Sequence, residues 1–283
     1  MFSDITPAKI GFIGLGLIGG SVAKAIRTYF PDYELIAFDK NKETLALAVQ
    51  ENIIDTSCSA IDDNFKGCSY IFLCAPVSYN TACLTQLKSL IDPDCILTDV
   101  GSVKTSIHEE IISLGMEENF IGGHPMAGSE KSGIEGARED MFKGAHWVLC
   151  PDEETSPDDY ANLHETLACL GARVVSLPRD KHDEAVAIVS HVPHFVASSL
   201  VELAVRHADD QEALFRLAAG GFKDSTRIAA GSPALWTGIA FDNREAIVEG
   251  LDEVQSILRG YADVLREGDK TEFTKLLDRA AQA

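Results

Sequence analysis

The chain has 283 residues, 46% hydrophobic and 24% charged, the balance of a folded globular protein long enough for two domains with cores of their own. Its 44 acidic against 24 basic residues give a net charge of -20, which argues against nucleic acid or an anionic membrane surface as the main partner. A small anionic ligand remains compatible, provided a few cations gather in one cleft. Seven cysteines, scattered and without a C-x-x-C pair, point to a reducing cytoplasm.

The N-terminal apolar run carries Asp4, lacks a basic flank and is broken by glycines, so it reads as a strand rather than an export signal. That strand, Lys9 to Ile13, enters Gly14-Leu15-Gly16-Leu17-Ile18-Gly19, after which Gly20 to Tyr29 has helical spacing. Gly14 permits a tight turn, Gly16 lets a pyrophosphate approach the backbone, and Gly19 lets helix pack on strand. Leu17 and Ile18 lie between the second and third glycines of the same cofactor loop, and the amide groups at the start of the helix that follows face the phosphate charge. A second strand, Glu34 to Phe38, delivers Asp39, 20 residues past Gly19, where a carboxylate holds the ribose hydroxyls. A carboxylate there repels a 2'-phosphate, which favours NAD over NADP, although Lys40 stands beside it.

Lys42 to Glu51 is helix-like, Tyr70 to Cys74 and Ile96 to Val100 are strand-like, and Ala75 and Pro76 leave a strand's carboxyl end to line the cofactor crevice. Strand candidates Ala145 to Cys150 and Arg173 to Ser176 flank a helix over Pro157 to Leu170. The alternation predicts an α/β domain at 1–176, with a Rossmann-like, doubly wound, mostly parallel sheet. From Leu177 the strand signal stops, and 177–283 reads as an all-helical domain of four or five helices. Ser232-Pro233 fits a helix start and Gly268 a helix end. Val186 to Val205 approaches membrane-span length but holds His191, Pro193, His194 and Glu202, so it reads as a buried helix kinked by proline.

Two blocks follow carboxyl ends of strands: Asp99-Val100-Gly101-Ser102-Val103-Lys104, and Gly122-Gly123-His124-Pro125-Met126-Ala127-Gly128-Ser129-Glu130-Lys131-Ser132-Gly133. His124 reads as lying in a glycine-rich loop with little packing reason for an imidazole, and Ser102 is placed to orient its second nitrogen. His191 and His194 form H-x-x-H, but no third ligand stands at metal spacing, so no metal is expected. Trp236 reads as a core residue.

Together G-L-G-L-I-G-G-S, D-x-G-S-V-K, G-G-H-P-M-A-G-S-E-K-S-G, S-H-V-P-H and G-G-F-K-D-S-T-R-I-A resemble the prephenate and arogenate dehydrogenase family, across both halves of the chain. The resemblance implies an NAD-dependent oxidative decarboxylation in tyrosine biosynthesis. His124 would accept the proton of a ring hydroxyl, with Ser102 as its partner, and Arg227 would bind a substrate carboxylate. Ser129, Glu130 and Asp224 are implied around the pocket, with His182 and His194 as further substrate contacts. Lys223 is implied to complete the site across a homodimer formed by the helical domain. Ser129 stands where the family often has threonine, and Ala219 where a third glycine is common, which leaves prephenate against arogenate open. Ending at Ala283, the chain is expected to have no regulatory domain or fused mutase, so that any feedback by tyrosine acts at the active site. Two other readings are a silent dinucleotide sensor, which needs neither His124 nor Arg227, and a reductase of another small acid, which would carry a helix-borne lysine.

Overall fold

Short apolar runs separated by helical ones cannot bury both faces unless they pair side by side, and in the computed structural model they do. It describes residues 8–128, 131–207 and 211–282. Eight strands, β1 (Lys9–Ile13), β2 (Glu34–Phe38), β3 (Thr56–Cys58), β4 (Tyr70–Leu73), β5 (Ile96–Asp99), β6 (Phe120–Pro125), β7 (His146–Cys150) and β8 (Arg173–Ser176), form one sheet in the order β3-β2-β1-β4-β5-β6-β7-β8. Every neighbouring pair is parallel except β6 and β7. Helices α1 (Leu17–Tyr29), α2 (Lys42–Gln50), α3 (Val77–Lys88), α4 (Thr105–Leu114) and α5 (Pro157–Cys169) supply the crossovers and cover.

Alternation along the strands splits the core between the two faces. Phe12 and Phe72 stack at 5.6 Å between ring centroids on one face, while their neighbours Ile13 and Ile71 bury on the other. Strand order reverses between β1 and β4, so the loops leaving both carboxyl ends face one crevice.

Two strands stand where the sequence suggested none. β3 has three residues, too short for a periodic signal. β6, Phe-Ile-Gly-Gly-His-Pro, is buried along its whole length, and its two glycines and terminal proline disguise it as a loop. His124 is therefore a strand residue with a packed environment.

By contacts the chain divides into Met1–Asp183 with Ala230–Asp242, and Glu184–Ala229 with Asn243–Ala283. The division falls later than the change of pattern at 176 and assigns a late helix to the first unit. After β8 come α6 (Arg179–Val186), a π turn (Ala187–His191), α7 (Val192–Arg206), α8 (Gln211–Leu217), α9 (Gly220–Thr226), a 3-10 turn (Arg227–Ala230), α10 (Pro233–Asp242), α11 (Arg244–Glu267) and α12 (Lys270–Ala281). That is seven α-helices among the described residues, more than expected, because turns divide segments that hydropathy reads as continuous. Pro233 opens α10, and Gly268, at φ +74°, closes α11 as the sequence suggested.

The irregularity in the long apolar run is a π turn that ends two residues before Pro193, and the helix continues through both. The helical stretch Arg179–Arg206 is long and apolar enough, by length and composition, to cross a membrane. Nor is it buried all round: Val192, Ala197 and Ala204 are covered, whereas Ile188, Leu203 and Val189, the last 69% accessible, are exposed. On the covered side α11 approaches so closely that a Cβ at Gly250 would lie 2.8 Å from Val192 Cγ2. Trp236 is half-buried rather than a core residue.

Because Phe72 is fully buried on a central strand, Phe72→Ala is expected to lower the unfolding free energy by about 3–5 kcal/mol, measured by urea denaturation.

Candidate active site

Glycine is required in the first loop for two separate reasons. Gly14 sits at φ +95°, and a Cβ there would lie 2.8 Å from the Ala75 amide nitrogen; at Gly19 it would lie 2.4 Å from the Gly14 carbonyl oxygen. Gly16 differs, since nothing lies within 4 Å of its added Cβ. It is the N-cap of α1 without a side-chain cap, so the amides of the first turn, Leu17 and Ile18 included, face outward as donors. The Asp39 carboxylate is held by the amides of Leu15 at 2.8 Å and Asn41 at 2.7 Å. On the far side, buried Asn80 accepts from the Ala75 amide and donates to the carbonyls of Leu73 and Ala75. A cavity of about 510 Å³ opens between them, lined by Gly14, Gly16, Asp39, Ala75, Pro76 and Tyr79 among others. Lys40 Nζ rests 3.7 Å from the centre of the Tyr79 ring. An open glycine, outward amides and a fixed carboxylate in one cavity fit a dinucleotide. Tyr79 and Asn80 were not singled out from sequence, and only their distance past Pro76 hinted at them.

Further along the sheet the D-x-G-S-V-K block becomes a buried ion pair. Asp99 and Lys104 are both fully buried and in direct contact. Asp99 accepts from the Gly101 amide at 2.8 Å and the Gly123 amide at 3.0 Å, and Lys104 Nζ donates to the Gly123 carbonyl at 2.7 Å. β5 pairs with β6 only as far as Ile121, so this pair satisfies the Gly123 backbone where the ladder stops. The glycines of G-G-H-P follow from crowding: a Cβ at Gly123 would lie 2.5 Å from the Asp99 carbonyl oxygen, and one at Gly122 would lie 2.4 Å from His108 Nε2.

His124 follows, 9% accessible. Its Nδ1 lies 2.8 Å from His182 Nε2, and His182 Nδ1 lies 2.7 Å from Asp183 Oδ1. Asp183 accepts from the Lys104 amide at 2.9 Å, the Thr105 amide at 2.8 Å and the Thr105 hydroxyl at 2.6 Å, so it caps α4 from outside. Burial alone would raise its carboxyl, but hydrogen bonds from His182, Thr105 and the two amides outweigh that and hold it below its ordinary 3.8. Two expectations are corrected here. His182, not Ser102, holds Nδ1 of His124, because α6 brings an imidazole alongside β6 while half-buried Ser102 makes no hydrogen bond to it. His182 has 0% accessibility and both ring nitrogens engaged, so it is a partner of His124 and not a substrate contact.

In the second unit, His194 on α7 is buried. Burial pushes its imidazole down, opposed by a hydrogen bond to the backbone at Ile228, within the turn that begins at Arg227. Arg227 itself is exposed and makes no ion pair among the described residues; Lys223 and Asp224, on α9, are also exposed. Ser129 and Glu130 lie outside the described residues.

Residues 22–176 match the family model described as prephenate dehydrogenase, nucleotide-binding domain, and residues 178–279 the one described as prephenate dehydrogenase, dimerization domain. The chain is 36% identical over 243 residues to prephenate dehydrogenase of Bacillus subtilis, covering 85% of this chain and 65% of that protein; it thus spans about two thirds of that relative's length. Among solved structures it resembles Synechocystis arogenate dehydrogenase, with TM-score 0.85, 33% identity and coverage of 97% and 98% of the two chains. It also resembles A. aeolicus prephenate dehydrogenase in complex with hydroxyphenyl propionate and NAD+, with TM-score 0.92, 27% identity and coverage of 98% and 97%.

The lowered carboxyl of Asp183 makes a prediction about acid stability. A depressed folded-state value contributes stability that is present above 3.8 and is lost as pH falls through the folded value. The difference in urea midpoint between the native chain and Asp183→Asn is expected to be widest above about pH 5 and to narrow steadily below pH 3.8.

Proposed function

The chain belongs to the prephenate dehydrogenase family, and from that premise we propose that it oxidises and decarboxylates prephenate to 4-hydroxyphenylpyruvate with NAD, a step in tyrosine biosynthesis. One observation carries the reading. In the sheet unit a buried, hydrogen-bonded imidazole, His124, ends a strand next to β5, and the glycine loop and Asp39 cavity open at the carboxyl ends of β1 and β4 in the same sheet.

Gly14, Gly16, Leu17, Ile18 and Gly19 would hold the pyrophosphate, Asp39 the adenosine ribose, and Ala75 and Pro76 the wall of the cleft. NAD, when bound, supplies the hydride acceptor. His124 takes the proton of the ring hydroxyl as the carbinol carbon is oxidised. The ring carboxylate leaves as carbon dioxide, its bonding electrons make the ring aromatic, and the imidazolium returns the proton to the phenolic oxygen. The reaction consumes no net proton and needs no metal ligand from the chain.

By the family resemblance, Ser102 would be the hydroxyl partner in this chemistry, Arg227 would hold a substrate carboxylate in two-point contact, and Lys223, Asp224, Ser129, Glu130 and His194 would be further substrate residues. The exposed apolar side of the long α6–α7 stretch fits burial against a second copy, in keeping with the description of the 178–279 model as a dimerization domain. The same burial, with the -20 net charge, supports a soluble cytoplasmic protein engaging neither membrane nor nucleic acid. Similarity to an arogenate dehydrogenase favours arogenate as the second substrate to try.

Reduced-nicotinamide absorbance with prephenate and with arogenate, each with NAD and NADP, tests the reading. Prephenate with NAD is expected to give the highest kcat/KM. His124→Ala is expected to remove about two or more decades of kcat while leaving NAD affinity within a few-fold. Turnover by the native chain is expected to rise with pH as the imidazole becomes neutral. Unchanged turnover in His124→Ala would refute the assignment.

A further inference from the structure

The mechanism needs a lone pair on one particular nitrogen of His124, and the contacts behind that ring determine which. The chain of contacts has an end of fixed polarity. Asp183 is an acceptor: it takes two backbone amides and a hydroxyl at the start of α4, where the helix dipole also favours negative charge. An acceptor at 2.7 Å from His182 Nδ1 requires the proton on that nitrogen. A neutral imidazole then has its lone pair on Nε2, which lies 2.8 Å from His124 Nδ1. That contact is a hydrogen bond only if His124 carries its proton on Nδ1. His124 Nε2 is then the nitrogen with the lone pair.

Resting on the proposed role of His124, we propose that Asp183 and His182 are positioning residues that set the tautomer of His124 from the N-terminus of α4, so that its Nε2 is the atom that receives the substrate's hydroxyl proton. When the substrate O–H bond breaks and the Nε2–H bond forms, His124 becomes an imidazolium whose Nδ1–H still donates to His182. The positive charge then faces a chain ending in a carboxylate, with no second proton transferred. Burial supports this, since His182 is 0% and Asp183 5% accessible, so water does not compete for these bonds. The carboxyl of Asp183 being held below its ordinary value agrees with its acceptor role.

Asp183→Leu provides the sharpest test. Asp183 Oδ1 accepts both the Lys104 amide and His182 Nδ1 while Oδ2 accepts the Thr105 amide and hydroxyl, so leucine, similar in size, removes the acceptor that fixes the first proton of the chain. In 15N NMR of histidine-labelled holoenzyme, His124 is expected to be protonated on Nδ1 in the native chain and to show both tautomers in Asp183→Leu. kcat is expected to fall about tenfold or more, while NAD affinity and KM stay within about threefold. A second pair of variants covers loss of folding in Asp183→Leu. His182→Gln retains one donor and one acceptor and is expected to keep kcat within about tenfold, whereas His182→Leu loses about a hundredfold. Folded Asp183→Leu with kcat within threefold of native, or an unchanged His124 tautomer, or equal kcat for the two His182 variants, would overturn the inference. The two readings separate through His124→Ala: if it is inactive while Asp183→Leu is not, only the positioning role fails, and if it is active, the function itself fails.

Discussion

Two opposite charges with no access to water anchor the sheet end on which the chemistry is placed. Removing Asp99 and Lys104 from solvent is costly, and their mutual attraction offsets it only because the remaining bonding capacity of both is used on the backbone. The Gly123 amide and carbonyl, left over where β5 and β6 part, are what they use. Removing either partner would strand a buried charge beside His124. The pair therefore fixes the backbone position of the imidazole, and the need for close approach accounts for two consecutive glycines in a strand, where glycine otherwise weakens pairing.

A second economy lies at Asp183. One carboxylate satisfies the orphan amides of a helix and also terminates a line of two imidazoles. Stability and reactivity are thereby tied to the same atom. Each bond that holds Asp183 ionised also keeps it an acceptor, which is the property the histidines depend on.

Residues whose role is local were legible in the sequence. The glycine turn shows itself because Gly14 and Gly19 answer steric demands within one strand-loop-helix unit, and Asp39 because its distance from that unit follows from the same geometry. His124 was legible as a residue but not as part of a strand, since Gly122, Gly123 and Pro125 mask the alternation of β6. Its partner was misassigned for another reason. His182 is 58 positions away and reaches His124 only through tertiary packing, while Ser102 lies in a nearby block with a suitable hydroxyl. Asn80 and Tyr79 sat in an ordinary helical segment with no pattern of their own. The π turn has no hydropathy signature, and only Pro193, two residues past it, marks the place in the sequence.

The single antiparallel pairing has a consequence for the rim beside His124. A parallel neighbour would require a crossover spanning the sheet, but β7 runs back along β6, so the chain between them leaves and re-enters on one rim, closed at its base by the Met126 amide on the His146 carbonyl at 2.8 Å. That excursion is not free to drift, because Ile134, Ala137 and Phe142 return from it into the core and α1 packs on it so closely that a Cβ at Gly20 would lie 3.0 Å from Ala137 Cβ. The rim beyond the histidine strand is thereby moored to the helix that opens on the glycine turn.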